Sequence, residues 1–166
     1  MKKWIKGLSV SFIMVFSIFF FVDQANAATK YQFKNNVATL TDIKITITKT
    51  KVIKPGKKGN EYGDKPIFAI WYKVKNITGK NIDPTTAWIA VFEATQDTSK
   101  NYVNELNVVG NPDAKYYDTQ LKRIKKGGTL ANAIAYELKN TKTPVKLTAY
   151  KGIGGKKLGS KTYKIK

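Results

Sequence analysis

The sequence contains no histidine and no cysteine, so the side chains that could do chemistry are carboxylates and lysines. The absence of histidine and cysteine excludes Ser-His-Asp and Cys-His nucleophiles, thiol redox centres and metal sites built from nitrogen and sulfur ligands. Two loop carboxylates could still act as a glycosidase pair or hold calcium. The loops show no D-x-D-x-D-G spacing, however, and nearby lysines are simpler partners. We therefore expect no catalytic, cofactor-binding or metal-binding residue and no enzymatic activity. The carboxylates concerned are Glu61, Asp64, Asp83, Asp97, Asp113 and Asp118.

Basic residues dominate the sequence, with 30 Lys plus Arg against 11 Asp plus Glu and a net charge of +19. A field of one sign concentrates polyanions at a protein surface. The lysine-rich stretches therefore predict a polyanion-binding site, although charge spread evenly for solubility would look the same. Arg123 is the only arginine, which argues against bidentate phosphate recognition. The predicted polyanion-binding residues are Lys54, Lys57, Lys58, Lys122, Arg123, Lys125, Lys126, Lys156 and Lys157.

Aromatic side chains lie beside lysines at several places, a pattern that base stacking on nucleic acid would also use. A strand face in water shows the same alternation, and export from the cell makes nucleic acid an unlikely partner. Trp88 lies in an apolar run and is expected in the core. Trp71 lies opposite the apolar face of its strand, so it either packs on that second face or serves as an exposed anchor for a partner.

The first 27 residues have the pattern of a signal peptide: a basic start, an apolar run over 7–22, and Ala25-Asn26-Ala27 before a cleavage point. The apolar run is shorter than the roughly 20 residues that span a membrane. We expect cleavage after Ala27, no transmembrane segment afterwards, a short extension over 28–36 and one domain over 37–166. Cleavage removes three lysines and one aspartate, so the net charge falls only to +17. The protein is predicted to be secreted, extracellular or loosely associated with the cell wall.

Strand patterns fill the rest of the chain. Ile43, Ile45 and Ile47 alternate with polar residues, and the alternation then changes phase, which predicts a bulge near 48–50. Further strands are expected at 67–77, 87–94 and 129–138, from 145 onward, and at 160–165. The strand at 87–94 is expected to be covered on both faces. The polar stretch 95–120 is expected to be irregular, with a short helical piece near 102–106. In the strand at 67–77, alternate residues should face the core: Phe68, Ile70, Tyr72 and Val74.

Six or seven strands of similar length, separated by turn residues and without intervening helices, predict an all-β fold. The expected architecture is an antiparallel β-sandwich of about seven strands. A small β-barrel is the alternative, because both architectures present the same alternation.

Three short motifs carry a resemblance to a known family: residues 59–66 (GNEYGDKP), 83–88 (DPTTAW) and 135–138 (AYEL). Together with the sequence around them, over about 37–166, they resemble family 5067 of the domains of unknown function, small exported proteins of Gram-positive bacteria. The resemblance implies an immunoglobulin-like sandwich and brings no activity or catalytic residue. Many relatives look like lipoproteins, whereas this sequence has no cysteine to carry a lipid.

Two functional hypotheses follow. The first is a secreted, non-catalytic binding or adaptor module of a Gram-positive envelope that associates electrostatically with anionic cell-wall polymers. The alternative is a secreted effector or immunity-type protein that binds a specific protein partner through a sheet face or a loop. In either case the partner is an anionic wall polymer or an envelope protein, and no cofactor is expected.

Overall fold

The chain folds mainly into β-strands in a computed structural model that describes residues 31–165. The predicted signal peptide and its cleavage point lie outside the described residues. The strands are β1 (Gln32–Lys34), β2 (Val37–Thr39), β3 (Ile43–Ile53), β4 (Ile67–Asn76), β5 (Phe92–Gln96), β6 (Asn104–Glu105), β7 (Val108–Gly110), β8 (Thr129–Glu137), β9 (Val145–Tyr150) and β10 (Lys157–Tyr163). One α-helix, α1 (Pro84–Val91), and one 3-10 turn (Ala114–Tyr116) complete the described elements.

The strands form two antiparallel sheets. The first sheet has the order β1-β2-β3-β4-β8-β7, and the second has the order β10-β9-β5-β6. The predicted all-β sandwich is therefore confirmed, and no closed barrel forms among residues 31–165. The described strands outnumber the expected seven because four of them have only two or three residues. The first sheet begins at β1, inside the segment 28–36 that the sequence assigned to an extension.

The core lies between the two sheets. In β4 the four alternate residues from Phe68 to Val74 are all buried, as the period of two predicts. Beside them, β3 buries Ile43, Ile45 and Ile47. From the other sheet, β9 contributes Val145, Leu147 and Ala149. Burial of this apolar surface is the main source of stability in a described chain without disulfides.

The segment predicted as a strand over 87–94 is instead mostly helix, and that prediction was wrong. The Asp83 side chain accepts a hydrogen bond from Thr86 N (2.9 Å), and Pro84 occupies the first turn, so the helix start is capped. An apolar run covered on every side fits a buried helix as well as a buried strand. The strand begins only at Phe92. The helical piece expected near 102–106 was also wrong, since Asn104–Glu105 pair with β5.

Helix α1 fills the space between the sheets through Trp88, which is fully buried as expected. Its ring stacks between those of Tyr72 and Phe92, with both centroids 4.3 Å away. Its Nε1 donates to the Tyr136 hydroxyl at 2.7 Å, so the polar atom of the indole is satisfied in the core. One side chain therefore joins α1 to both sheets.

The sandwich has two ends, which we name after residues of the first sheet. At the Asn76 end, β3 begins, β4 ends and β8 begins; at the Glu137 end, β3 ends, β4 begins and β8 ends. In the second sheet, Gln96 donates to the carbonyls of Asn140 and Thr143 in the loop that follows the Glu137 end. The β9–β10 hairpin is therefore at the Asn76 end, because β9 runs away from that loop.

Candidate functional site

The predicted polyanion-binding residues do not form one surface. Lys54, Lys57 and Lys58 belong to the β3–β4 loop at the Glu137 end. The segment 122–126 leads into β8, and Lys156 and Lys157 open β10, both at the Asn76 end. The two ends are separated by the length of β8, about 27 Å at about 3.4 Å per residue. The nine residues therefore divide into two groups.

One residue of the group at the Asn76 end contacts the wall of a cavity. Arg123 Nε donates to Asn81 Oδ1 at 2.8 Å, and Asn81 lines a cavity of about 370 Å³ together with Lys151 and Gly152 of the β9–β10 hairpin. The hairpin thus lines this cavity, and the segment before β8 reaches it through the Arg123–Asn81 hydrogen bond. We call the exposed cations of the two segments the basic end: Lys122, Arg123, Lys125, Lys126, Lys151, Lys156 and Lys157.

A second basic surface lies on the outer side of the first sheet. Five exposed lysines of two paired strands share this side, and we call them the lysine face: Lys44, Lys49, Lys51, Lys73 and Lys75. Their common orientation depends on a register shift in β3. Ile47 pairs with Tyr72 and Lys49 with Trp71, so Thr48 is an extra residue in β3, at the predicted bulge. The bulge keeps Lys49 and Lys51 on the outer side and turns Thr50 and Val52 inward.

Like charges oppose each other directly on this face. Lys44 pairs with Lys75, and Lys73 lies two residues along β4 from Lys75. Directly opposed side chains in an antiparallel pair have Cβ atoms about 5 Å apart, and like charges there are destabilising. The ion pairs of the described chain are Lys65–Glu137 and Lys80–Asp42, and neither uses a lysine of this face. The face therefore carries five cations without an ion-pair partner among residues 31–165.

Trp71 lies within the lysine face, opposite Lys49 and on the Asn76 side of the Lys51–Ala69 pair. It packs against a small apolar cluster on the outer side of the sheet, formed by Ile53, Ile67, Ala69 and Ala135. Its Nε1 donates to Asp113 Oδ2 at 2.8 Å, and Lys49 Nζ lies 5.0 Å from the ring centroid. Of the two readings left open by the sequence, these contacts favour packing on the second face.

A buried polar network lies on the inner side of β4 and β8. The Tyr72 hydroxyl donates to Pro84 O at 3.0 Å and accepts from Asn132 Nδ2 at 3.0 Å. Asn132 also donates to Thr85 Oγ1, which ties β8 to the start of α1. Burial raises the pKa of the Tyr72 hydroxyl well above its ordinary value, so it remains a neutral donor. Of the two strands that carry the lysine face, β4 is thus tied from behind to β8 and to the start of α1.

Three of the six loop carboxylates accept hydrogen bonds, and from groups other than the lysines expected as their partners. Asp83 caps α1, and Asp113 holds the Trp71 indole. Glu61 Oε2 accepts from Gly59 N at 2.9 Å, and this hydrogen bond holds the pKa of its carboxyl below the usual value. The residues that the structure describes contain no group of three or more metal-ligating side chains.

Sequence reasoning missed the lysine face because it grouped lysines that are close along the chain. The five lysines lie on two strands separated by a long loop, and only the pairing of β3 with β4 brings them together. The signal was present in the phase of each strand: Lys73 and Lys75 alternate with core residues, and Lys49 and Lys51 follow the predicted bulge. Aligning the outward phases of the two strands would have identified them.

The region where α1 passes into β5 borders an open cleft of about 530 Å³. Its apolar lining includes Ile89, Phe92 and Leu106, and Glu93 and Glu105 contribute carboxylates. Residues 152–155 of the β9–β10 hairpin form one of its walls. The cleft is therefore continuous with the basic end and remote from the lysine face.

No helix among residues 31–165 has both the length and the apolar composition needed to cross a membrane. A family model, Domain of unknown function (DUF5067), matches residues 22–151. No curated protein sequence matches the chain. A solved structure described as that of a candidate lipoprotein from Staphylococcus aureus superposes with a TM-score of 0.66 at 22% identity, covering 80% of this chain and 90% of that one. At this identity the similarity shows a shared fold.

Proposed function

We propose that this chain, which belongs to the DUF5067 family of domains of unknown function, is a secreted, non-catalytic binding module of a Gram-positive envelope. In this proposal it associates electrostatically with anionic cell-wall polymers through the lysine face. The predicted signal peptide supports export, and the similarity to a candidate staphylococcal lipoprotein supports an envelope location. The matched family brings no activity to transfer, so the argument depends on the surface itself.

The observation that carries the proposal is the direct opposition of Lys44 and Lys75 on paired strands of the first sheet. Cross-strand repulsion costs stability in the free protein, and a bound polyanion would turn that cost into attraction. Lysines spread only to keep a protein soluble have no reason to occupy directly opposed positions. Hydroxyl groups of Thr46 and Thr129 lie among the lysines in the same register and offer further donors.

The spacing of the lysines suits a phosphate-bearing chain. Lys73 and Lys75 are two residues apart on β4, so they repeat every ~6.8 Å along the strand, and Lys49 and Lys51 repeat likewise on β3. A linear phosphodiester polymer, such as a teichoic acid, can lie along the strands with successive phosphates near successive ammonium groups. Lysine suits this role because a point charge requires no fixed geometry.

The test measures binding to purified teichoic acid at several salt concentrations. The triple variant Lys44→Gln, Lys73→Gln, Lys75→Gln removes three charges from the lysine face while keeping exposed side chains. We expect its affinity to fall, and the slope of log Kd against log salt to decrease by about three, because each phosphate contact releases about one counterion.

The matched control is Lys54→Gln, Lys57→Gln, Lys58→Gln, which removes the same charge from the Glu137 end. The proposal predicts a smaller loss of affinity for this control. Equal losses in the two triple variants would mean that net charge alone drives binding, and an unchanged affinity in the first would eliminate the lysine face as the site. Circular dichroism of each variant checks that the sandwich is intact.

The alternative remains a secreted effector or immunity-type protein that binds a specific protein partner through a loop. The observation that favours it is Tyr62, which is fully exposed at the Glu137 end with no described hydrogen bond to fix it. Aromatic side chains are frequent anchors in protein interfaces. A partner held there would stay bound in high salt and be lost with Tyr62→Ala, whereas binding through the lysine face would fail in high salt.

A further inference from the structure

The tip of the β9–β10 hairpin presents an isolated apolar side chain to solvent. Ile153 is 88% exposed and lies between Gly152 and Gly154, which both have positive φ (81° and 67°). Glycine adopts this left-handed backbone without strain, so the tight turn forms without any side chain beside the isoleucine. The hydrogen bond from Lys151 N to Lys156 O closes the hairpin at 2.9 Å. The fold therefore holds Ile153 outward instead of merely failing to bury it.

Cations surround this apolar tip. Lys151, Lys156 and Lys157 belong to the same hairpin and are exposed. The segment before β8, which contacts Asn81 of the cavity that Gly152 also lines, repeats the arrangement, with Leu121 exposed by 69% beside Lys122 and Arg123. Two apolar side chains with basic neighbours thus lie at the same end of the sandwich.

This combination points to a partner that offers both negative charge and an apolar interior. A polyanion in water satisfies the lysines but gains nothing from Ile153, because the polymer cannot remove the side chain from water. An anionic lipid bilayer satisfies both, since headgroups attract the lysines while the acyl boundary takes up the isoleucine. Of the carboxylates nearby, Glu93 and Glu105 line the cleft behind the hairpin, and Asp42, in the cavity beside it, is neutralised by its ion pair with Lys80. The rim that reaches a membrane first is therefore cationic.

We propose that the basic end docks on an anionic membrane surface by inserting Ile153 at the headgroup boundary. This surface is separate from the lysine face, so either proposal can fail without the other. The protein would then present the lysine face beside the membrane, free to bind a second anionic partner. Docking of this kind is reversible, because one isoleucine and a few lysines bind a bilayer far more weakly than a membrane-spanning helix does.

The experiment uses the absence of cysteine from the sequence. Ile153→Cys creates a single thiol, which is labelled with an environment-sensitive fluorophore and mixed with vesicles of phosphatidylglycerol and phosphatidylcholine. We expect a blue shift of the emission with these vesicles and none with pure phosphatidylcholine. Tyr62→Cys is the matched control, because Tyr62 is fully exposed at the opposite end. The emission of its label should not shift. The two labelled variants have the same N-terminal residues, so any effect of that segment on the vesicles is the same in both.

A second pair of variants measures the energetic contribution. Ile153→Ser should weaken binding to the anionic vesicles by about tenfold, the amount expected from burying most of one such side chain, whereas Ile153→Leu should bind as the original does. Both should fold normally, because the position makes few contacts. The proposal is overturned if the label at position 153 does not shift, if the label at position 62 shifts equally, or if soluble polyphosphate produces the same shift.

Discussion

The lysine face and the basic end carry similar charge, but one lies on paired strands and the other on loops. The lysine face lies on long, paired strands, one of which, β4, is tied to β8 on its inner side by the Tyr72–Asn132 hydrogen bond, so the ammonium groups start from positions set by the register. The basic end consists of a glycine-rich hairpin and an irregular segment, and it adds exposed apolar side chains. The comparison teaches that net charge alone does not identify a partner. Regularly spaced charges on paired strands suit a regular polymer, whereas charges on loops beside exposed apolar side chains suit a bilayer.

Hydrogen exchange should show the largest difference between the two regions. Amides of β4, and of β3 over 43–47, lie in the middle of the first sheet, so they should exchange only through global unfolding, whose free energy is about 5–15 kcal/mol in a domain of this size. Amides of 152–155 should exchange at close to the rate of free peptide. Mass spectrometry after proteolysis measures both. Equal protection would erase the distinction between a rigid face and a mobile end.

Replacing Trp71 tests how firmly the lysine face is held. Trp71→Ala removes packing on Ile67 and Ala135 and leaves Asp113 Oδ2 without its donor, so we expect a loss of about 2–3 kcal/mol of unfolding free energy. Urea denaturation measures the loss. Lys49→Gln, which removes only the cation near the ring, is the control and should cost less than about 1 kcal/mol. A neutral Trp71→Ala would indicate that the indole is free for a partner after all.

Straining the turn of the β9–β10 hairpin should affect the basic end alone. Gly154 has φ of 67° and open space where a Cβ would lie, so Gly154→Ala introduces backbone strain without a clash. We expect about 1 kcal/mol of destabilisation, concentrated in the hairpin. Teichoic acid affinity should stay unchanged, whereas vesicle binding should weaken. A parallel loss of both activities would show that the two regions do not act separately.

Reversing one charge on the lysine face should separate stability from binding. Lys75→Glu places opposite charges across β3 and β4, so at low salt it should stabilise the fold by about 0.2–1 kcal/mol while weakening polyanion binding. Thermal unfolding and the teichoic acid assay measure the two effects. Lys54→Glu makes the same charge change in the β3–β4 loop and should give neither result. A destabilised Lys75→Glu variant would mean that Lys44 and Lys75 do not repel each other.

The smallest effect is expected from acid at the Asn76 end. The Lys80 ammonium donates to Asp42 at 2.7 Å and holds the pKa of that carboxyl below its ordinary value. The folded form therefore gains stability from Asp42 above about pH 4, and loses it as the pH falls through the lowered pKa. The pair is exposed to solvent, so the gain is below about 1 kcal/mol. The difference in melting temperature between Asp42→Asn and the original should vanish near pH 2.

The sequence predicted the first sheet better than the helix or the site. Strict alternation along Ile43–Ile47 and Phe68–Val74 fixed both the strands and their buried sides, and the phase change located the bulge. Alternation carries no information for the run that holds Trp88, where both faces are apolar; there the capping residue Asp83 and the following Pro84 were the better guide.

The candidate site was harder to predict because it exists only between strands. A cluster in sequence, such as residues 122–126, is visible at once, but the opposition of Lys44 to Lys75 depends on a register that no single strand specifies. The exposure of Ile153 was equally hidden, since an isoleucine between glycines can fold inward or outward. Long-range pairing and the direction of a turn are tertiary properties, and local patterns only constrain them.

The bulge at Thr48 has a consequence for how this domain can change over evolutionary time. Deleting one residue there would rotate the rest of β3 by half a turn, bringing two lysines into the core and expelling Val52. Once the residues after Thr48 have adapted to this extra residue, deleting it would therefore no longer be neutral. Changes in length should accumulate instead in the loop between β3 and β4, while β3 keeps its eleven residues across related proteins.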